Sequence, residues 1–352
     1  MGDRGERLER LVAERELDLL LVTDLVSVRY LTGFTGTNGA CVCGPGARLF
    51  FTDFRYTERA AAEVEGWEAI TVGGDWLGGI AERLRGRVGF EDDKLAVRTL
   101  AKLEGKLGEG TEMVAAGGCV ERLRRVKDEA ELAAIAEASK LADEVWGWAV
   151  GQGLAGRAER EVARAAEARI REHGAEPSFP AIVAAGPNGA LPHAEPGERQ
   201  IGRGELVVFD MGAKLDGYCS DGTRTFATGE PGEAARAVYA TVLEAQLAAL
   251  DAVAVGAKGE DVDAVARRLI GDAGHGERFG HGLGHGVGLE VHEGPRLSPR
   301  SDDVLEAGEV VTVEPGIYLP GQLGVRIEDL VVVGEDGPRN LSSVTKDLTL
   351  VE

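Results

Sequence analysis

The stretch LVVFDMGAKLDGYCSDGTRTF, Leu206–Phe226, carries one acid before a turn signal and one after it. Asp210 ends an apolar run, Asp221 follows eleven residues later, and their midpoint lies between Leu215 and Asp216. The Asp-Gly pair that begins at Asp216 is a strong hairpin signal. We therefore predict two antiparallel strands that set Asp210 and Asp221 face to face.

A second stretch, VTVEPGIYLPGQLGVRIEDLVVV (311–333), repeats this arrangement. Its acids, Glu314 and Glu328, are fourteen residues apart, and Gly321 of a Pro-Gly turn signal lies at their midpoint. Opposed side chains on antiparallel strands lie about 4.5–5.5 Å apart, where like charges destabilise the pair. The alternative is that these acids are solvated strand ends paired with Arg224 or Arg326, which explains one symmetric pair better than two.

Four clustered carboxylates need shared protons or cations. Two divalent metal ions about 3.5–4 Å apart are a known solution in hydrolytic enzymes. An oxygen-rich ligand set with one imidazole suits Mn, Co or Fe and tolerates Zn. The two hairpins therefore predict a metal site.

A third stretch, FGHGLGHGVGLEVHEGP (279–295), contains three of the six histidines of the chain, His281, His285 and His292. Each of its alternating glycines disfavours a helix by about 1 kcal/mol, so we predict an extended segment. Four residues of strand span about 13 Å, which is too far for His281 and His285 to bind the same metal ion. One of these two histidines is predicted to be a ligand, and the other is predicted to act elsewhere in the site.

The order of elements indicates two domains, which 352 residues can form. In the first third, helices alternate with strands, among them Ala47–Thr52, Arg87–Phe90 and Glu112–Ala115, as is typical of an α/β domain. A charged run over residues 122–131 precedes a long amphipathic helix and marks the predicted boundary, with domains 1–124 and 125–352. The second domain combines long helices with β-rich stretches, so we predict an α+β architecture.

The composition limits the classes of function. A formal net charge of −21 would repel the phosphates of nucleic acid. The longest aliphatic run, Leu19–Val22, is far shorter than a membrane span, and the first residues lack the apolar stretch of a secretory signal. Cys41, Cys43, Cys119 and Cys219 match neither a redox nor a zinc motif and are predicted to be buried, reduced thiols. We expect a cytoplasmic protein that binds neither nucleic acid nor membrane.

The site residues and the words around them resemble a known family. Asp210, Asp221, His285, Glu314 and Glu328, in that order, resemble the five-ligand dinuclear site of the pita-bread metallopeptidases, peptidase family M24. The sequence motifs around these residues also match the family: PHA at 192–194, SDGTRT at 220–225, HGVGLEVHE at 285–293, EPGIY at 314–318 and VRIED at 325–329. In the first 124 residues, LTGFTG and TDFRYTERA resemble the creatinase-type N-terminal domain of Xaa-Pro aminopeptidases and Xaa-Pro dipeptidases (prolidases).

This resemblance implies an α+β C-terminal pita-bread (creatinase/aminopeptidase) fold preceded by a smaller α/β creatinase-like domain. It also implies a role for each ligand. Asp210 would bind one metal ion through both oxygens and His285 would bind the other. Asp221 and Glu328 would bridge the two ions, and Glu314 would be both a ligand and the proton shuttle to the leaving nitrogen.

Further residues would surround the metal ions in such a site. His193 and His292 would contact the scissile amide and its developing oxyanion. His281 would lie near the substrate, and Arg326 would support the carboxylates. Arg296 is a candidate partner for a substrate carboxylate, a role that does not separate dipeptidases from aminopeptidases.

The implied reaction is hydrolysis of the Xaa-Pro peptide bond, in dipeptides or at the N-terminus of short peptides, by water or hydroxide that bridges two divalent metal ions. Mn or Co is expected, with Zn or Fe as alternatives, and short proline-containing peptides are the expected substrates. Because relatives with this N-terminal domain often pair, we expect a homodimer in which residues 32–40 form a lid. The rival interpretation is an inactive pita-bread scaffold that acts as a binding module. Inactive scaffolds of that kind lack some of the metal ligands, whereas all five ligand residues are present in this chain.

Overall fold

The structure is a computed structural model that describes residues 4–351, and it divides into two compact units between Arg124 and Arg125. The first unit contains one six-stranded sheet in the order β4-β3-β2-β1-β5-β6. Its strands are β1 (Leu19–Val22), β2 (Ala40–Gly44), β3 (Ala47–Thr52), β4 (Glu68–Thr71), β5 (Arg87–Phe90) and β6 (Glu112–Ala115). Its helices are α1 (Arg4–Glu14), α2 (Leu25–Thr32), α3 (Thr57–Glu63), α4 (Trp76–Ala81), α5 (Val97–Glu104) and α6 (Cys119–Arg125), the last of which contains the division.

Local sequence explains the central elements of this sheet. Strand β2 is buried at all five positions, and β1 is buried at three of its four. Such continuous burial suits strands that are covered on both faces. Helix α2 begins at Asp24, whose side chain accepts a hydrogen bond from the Ser27 N–H, and ends at Gly33 with φ of +80°. The α/β architecture expected for this part of the chain is confirmed, although β2 was not predicted from the sequence.

The second unit combines four long helices with four small sheets. The helices are α7 (Glu129–Gly151), α8 (Glu159–Glu172), α9 (Glu233–Asp251) and α10 (Gly259–Asp272). The strands are β7 (Glu176–Pro177), β8 (Ile182–Ala185), β9 (Leu206–Asp210), β10 (Ala213–Leu215), β11 (Tyr218–Cys219), β12 (Thr223–Ala227), β13 (Gly284–Gly286), β14 (Glu293–Leu297), β15 (Val310–Val313), β16 (Gly316–Leu319), β17 (Leu323–Arg326), β18 (Asp329–Val332) and β19 (Arg339–Asn340). The sheets have the orders β11-β10-β7, β12-β9-β8, β14-β13-β15-β18-β19 and β16-β17.

Each pair of helices packs against its own strands. The apolar side of α7 and α8, with Trp146 and Ile170, shares a buried cluster with Phe209 of β9. The apolar side of α9 and α10 shares another with Val311 of β15 and Val325 of β17. The strands that carry the acids therefore lie between two helix pairs, which agrees with the predicted α+β class.

Helix α7 starts with a capping box, in which Asp128 and Glu131 exchange hydrogen bonds with each other's backbone N–H groups. Among residues 4–351, no helix is both long and apolar enough to cross a lipid bilayer. The glycine-rich stretch 279–295 contains no helix, as predicted, and its strands are β13 and the start of β14.

Candidate active site

The second hairpin holds its two glutamates opposite each other, as predicted. Val313 pairs with Asp329 on one side of them and Gly316 pairs with Arg326 on the other, which sets Glu314 opposite Glu328. The turn is centred on Gly321, whose φ of +71° is strained for other residues. The Pro-Gly signal thus determined the register correctly.

The first hairpin differs from the prediction. Asp210 pairs with Thr223 rather than with Asp221, because the turn is centred on Asp216 and Gly217. These two residues have φ of +47° and +86°, as the central residues of a tight hairpin turn require, so the predicted centre was one residue too early. Since alternate residues of a strand share a face, Asp221 still lies on the side of the hairpin to which Asp210 points.

His285 of β13 faces these carboxylates. Its Nε2 lies 3.5 Å from Asp221 Oδ2 and 3.5 Å from Glu314 Oε1. Its Nδ1 lies 3.0 Å from the Gly286 carbonyl oxygen, an acceptor, which assigns the proton to Nδ1 and the lone pair to Nε2. Burial lowers the pKa of His285 to about 3, so the imidazole is neutral near pH 7 and can bind a cation.

Burial and mutual repulsion raise the pKa values of the four acids. The pKa of Glu314 rises to about 8, mainly because the group is removed from water. The pKa values of Asp221 and Glu328 are raised well above their usual range by burial and then by neighbouring carboxylates. The pKa of Asp210 is also raised by burial, against the opposing effect of Arg326. Such a cluster is stable only with added protons or cations.

The donor set fits a divalent metal ion. One ligand atom from each of Asp221, His285 and Glu328 lies within 4.8 Å of the others. Asp210 Oδ1 is buried and has no hydrogen-bond partner among the described residues. Four carboxylates and one neutral imidazole are ligands that suit a divalent metal ion, and the unpartnered oxygen provides a further ligand atom.

Arg326 connects the site to its surroundings. Its guanidinium donates to Asp210 Oδ2 at 2.6 Å, to Thr223 Oγ1 at 3.0 Å and to the Tyr318 hydroxyl at 2.8 Å. Thr223 Oγ1 in turn donates to Glu328 Oε2 at 2.7 Å. One buried cation therefore orients two of the four acids.

A cavity of about 690 Å³ opens onto the acids, a volume that suits a small ligand. All nine predicted site residues line it: Asp210, Asp221, His285, Glu314, Glu328, His193, His281, His292 and Arg326. Arg296 and Ser298 also line the cavity, and Phe179, Pro180 and Ile182 give it an apolar wall. The residues that the sequence singled out thus meet in one place, within the second unit.

Two family models match this chain. Metallopeptidase family M24 matches residues 133–335, and the creatinase/prolidase N-terminal domain matches residues 4–126. The chain belongs to metallopeptidase family M24. Its resemblance to that family, which the motifs predicted, is confirmed.

Similar proteins of this family cover almost the whole chain. An uncharacterized peptidase of Bacillus subtilis, YqhT, is 40% identical over 98% of this chain and 99% of its own length. The structure of an Xaa-Pro dipeptidase from Bacillus anthracis superposes with a TM-score of 0.96 at 39% identity, covering 99% of each chain. An X-Pro aminopeptidase from Thermotoga maritima superposes with a TM-score of 0.91 at 36% identity, covering 99% of this chain and 100% of its own.

Besides His285, three histidines of this metallopeptidase line the cavity, each in a different environment. His281 Nε2 lies 2.9 Å from the Tyr318 hydroxyl, and burial lowers the pKa of His281 to about 4. His292 packs its ring edge-on against His285, with ring centroids 4.4 Å apart. His193 is exposed at the cavity wall.

Several residues that organise the site were not predicted from the sequence. Thr223 and Tyr318 lie within the motifs SDGTRT and EPGIY, but no sequence pattern marks either residue as a hydrogen-bond partner of Arg326. Thr312 accepts the His285 N–H at 3.1 Å and donates to Glu314 Oε1 at 3.3 Å. Its position two residues before Glu314, on the same face of the strand, is the one signal that pointed to it.

Proposed function

We propose that this metallopeptidase hydrolyses the peptide bond before proline in short peptides. The observation that carries the proposal is that three buried carboxylates, the partly buried Glu314 carboxylate and a neutral imidazole line one cavity. The names of the similar Bacillus anthracis and Thermotoga maritima structures support the choice of substrate. A scaffold without catalytic activity is not favoured, because all five ligand positions are present.

The cofactor in this proposal is a pair of divalent metal ions, Mn or Co, with Zn or Fe as alternatives. Asp210, Asp221, His285, Glu314 and Glu328 hold them. Bound metal ions lower the pKa of water and polarise a carbonyl group, so no serine or cysteine nucleophile is required. The neutral state of His285 near pH 7 supports its assignment as the nitrogen ligand.

Glu314 moves the proton in this reaction. Its carboxylate lines the cavity beside the other acids, where a positioned carboxyl group can accept a proton from one reacting group and donate it to another. Thr312 fixes the position of one carboxylate oxygen at 3.3 Å. The carboxyl group takes a proton from the attacking water and delivers it to the leaving proline nitrogen.

His193 and His292 contact the scissile amide and stabilise the negative charge that develops on its oxygen. His292 is held against the His285 ring, which places an imidazole beside the ligand cluster. His281 and Arg326 meet at the Tyr318 hydroxyl, where they shape the wall of the cavity and keep Asp210 in position. Oxyanion stabilisation of this kind contributes about 10²–10³ in rate.

The length of the substrate separates a dipeptidase from an aminopeptidase. Arg296 lines the cavity and is available to a substrate carboxylate, but both enzyme types carry this residue, so it does not separate the two activities. The test is to reload metal-stripped protein with Mn or Co and to assay Ala-Pro, Ala-Pro-Ala and Ala-Ala. Cleavage of Ala-Pro alone makes the chain a prolidase, and cleavage of Ala-Pro-Ala makes it an aminopeptidase. Failure to cleave either proline peptide would refute the proposed function.

We also propose a cytoplasmic homodimer. All four cysteines are buried thiols, as expected for a reducing compartment. In the first unit, Phe54 is 80% exposed, and the adjacent loop 33–39 is tied down by hydrogen bonds such as Thr37 to Tyr56 at 2.5 Å. The homodimer is proposed from the creatinase/prolidase N-terminal domain over residues 4–126, because the resemblance implies that proteins with this domain often pair. Light scattering at micromolar concentration tests this, and a fully active monomer would exclude it.

A further inference from the structure

Lys127 forms an ion pair inside the second unit that the proposed mechanism does not use. Its Nζ lies 3.4 Å from Glu293 Oε2, and the two side chains are 1% and 6% exposed. Burial lowers the pKa of Lys127, and the negative charge of Glu293 opposes that effect. A charge at such depth is costly unless a partner of opposite charge lies beside it. The pair is therefore a specific feature of the interior, unlike the many ion pairs at protein surfaces.

Glu293 lies directly after His292, and its side chain folds beneath the turn that carries that histidine. Its Oε1 accepts the N–H of Glu290 at 3.0 Å, which closes the turn. Its carboxylate also packs against Gly288, where a Cβ atom would lie 2.7 Å from Glu293 Oε2. Only glycine fits at that position without a shift. The carboxylate thus fixes the backbone on both sides of residues 289–292.

The segment 125–127, at the start of the second unit, also holds the other end of β14. Arg125, two residues before Lys127, donates to Asp303 Oδ1 at 2.7 Å, and Asp303 Oδ2 accepts the N–H of Arg296 at 2.8 Å. The segment is itself anchored, because the Lys127 N–H donates to the Gly308 carbonyl at 3.0 Å. Two cations at the start of the second unit therefore hold the strand between the two cavity residues His292 and Arg296.

We propose that Lys127 is a positioning residue for His292 and acts through the Glu293 carboxylate. This inference rests on the proposed function, in which His292 stabilises the reacting amide. Removing the ammonium leaves the Glu293 carboxylate buried without that counter-charge, and the turn then moves to rehydrate it. A displacement of about 1 Å at a reacting group can cost about 10²-fold in rate.

The test is a double-mutant cycle with Lys127→Met and His292→Ala on the metal-loaded protein, with Ala-Pro as the substrate. Lys127→Met should lower kcat by about 10- to 100-fold, while KM and the bound metal content stay within about twofold of wild type. In the His292→Ala background the same substitution should cause no further loss, because the group that it positions is gone. Equal losses in both backgrounds, or no loss in either, would overturn the proposal.

A matched control separates this effect from the loss of any lysine ion pair. Lys258 pairs with Glu260 at 3.7 Å in the same unit, but its side chain is 56% exposed. Lys258→Met should leave kcat unchanged. If Lys127→Met does not fold, Glu293→Gln replaces it in the cycle, since the glutamine oxygen still accepts the Glu290 N–H. The same pattern of non-additive loss is expected, and additive loss would again contradict the proposal.

A second readout does not depend on catalysis. The imidazole resonances of His292, identified by their loss in His292→Ala, should shift in Lys127→Met, whereas those of exposed His173 on another element should not. An unchanged His292 resonance would overturn the positioning role even if the protein proved inactive. Conversely, a shifted resonance in a protein that cleaves no proline peptide would refute the proposed function and leave the positioning of His292 intact.

Discussion

Arg326 and Asp210 form a buried ion pair that uses only one oxygen of the carboxylate. Arg326 Nη2 donates to Asp210 Oδ2 at 2.6 Å, while Oδ1 of the same group has no hydrogen-bond partner among the described residues. Buried carboxylate oxygens without a partner are rare in folded proteins. The pair therefore holds Asp210 by one oxygen and leaves the other oxygen available to a cation.

Arg326→Lys should weaken metal binding although it keeps the charge. Arg326 donates to Asp210, Thr223 and Tyr318 from fixed directions, and one ammonium cannot reproduce that geometry. Loss of partners that orient metal ligands commonly costs about 10- to 100-fold in affinity. Competition with a chelating dye measures the change, and Arg169→Lys, at an exposed pair on α8, is the control. Unchanged affinity in Arg326→Lys would show that the ligands do not need this support.

Glu314→Gln should abolish most turnover while the protein stays folded. The amide keeps the size of the side chain and can still accept from Thr312, but it cannot carry the proton. General acid–base groups contribute about 10²–10⁴ in rate. Assays should be run at saturating metal, with circular dichroism to check folding and Glu172→Gln on α8 as the control. Turnover close to wild type in Glu314→Gln would remove the proposed shuttle.

Chelation should lower the thermal midpoint, and reloading with Mn or Co should restore it. Ligand binding to the folded state alone stabilises it by about 2.7 kcal/mol when free metal is a hundredfold above its dissociation constant. Because the pKa of Glu314 is about 8 without metal, protons compete with metal ions below that pH. At a fixed free metal concentration the shift should therefore be larger at pH 8 than at pH 6. Calorimetric scans at both pH values measure this shift in the thermal midpoint. A midpoint that does not change on chelation at either pH would contradict a structural metal site.

In the first unit, away from the cavity, the environment of Glu91 predicts that stability depends on pH. Its Oε2 accepts the N–H groups of Thr23 and Asp24 at 2.7 and 2.9 Å, and Oε1 is buried without a partner among the described residues. Burial, with smaller contributions from the negative charges of Glu121 and Asp24, raises its pKa from 4.5 to about 7. The folded state then binds the proton more tightly than the unfolded state, so stability falls as pH rises from about 4.5 to about 7.

Glu91→Gln should remove this dependence on pH. The stability of the variant relative to wild type should rise by about 3 kcal/mol between pH 4.5 and pH 8, whatever fixed cost the amide adds. Urea unfolding of both proteins across that range measures the difference, with Glu104→Gln, at an exposed position of α5, as the control. A difference that stays constant with pH would mean that Glu91 titrates alike in the folded and unfolded chains.

The sequence was sufficient to predict that four acids and His285 come together, because a hairpin brings residues on either side of its turn into contact. Glu314 and Glu328 are symmetric about a glycine with positive φ, so their register followed from the turn alone. For the first hairpin, the predicted partner of Asp210 was two residues away from the observed one. The prediction placed the turn midway between the two acids, whereas the turn is centred on the Asp-Gly pair. The side-chain period of two kept both acids on one face despite that error.

Other features depend on contacts that no local pattern encodes. Lys127 and Glu293 are 166 residues apart in the chain, and the charged run around Lys127 was interpreted only as a domain boundary. The path from His281 through the Tyr318 hydroxyl to Arg326 joins separate segments whose approach depends on how the sheets pack. Packing at long range decides which polar groups become partners, and single-sequence patterns do not carry that information.

The most direct measurement is a metal titration of Ala-Pro hydrolysis with fully stripped protein. We predict no hydrolysis without metal, recovery on addition of Mn or Co, and saturation near two ions per chain, as proposed for this site. Asp221→Asn and His285→Ala should fail to recover under the same conditions. Hydrolysis at the full rate by stripped protein, or full recovery in those ligand variants, would contradict the account.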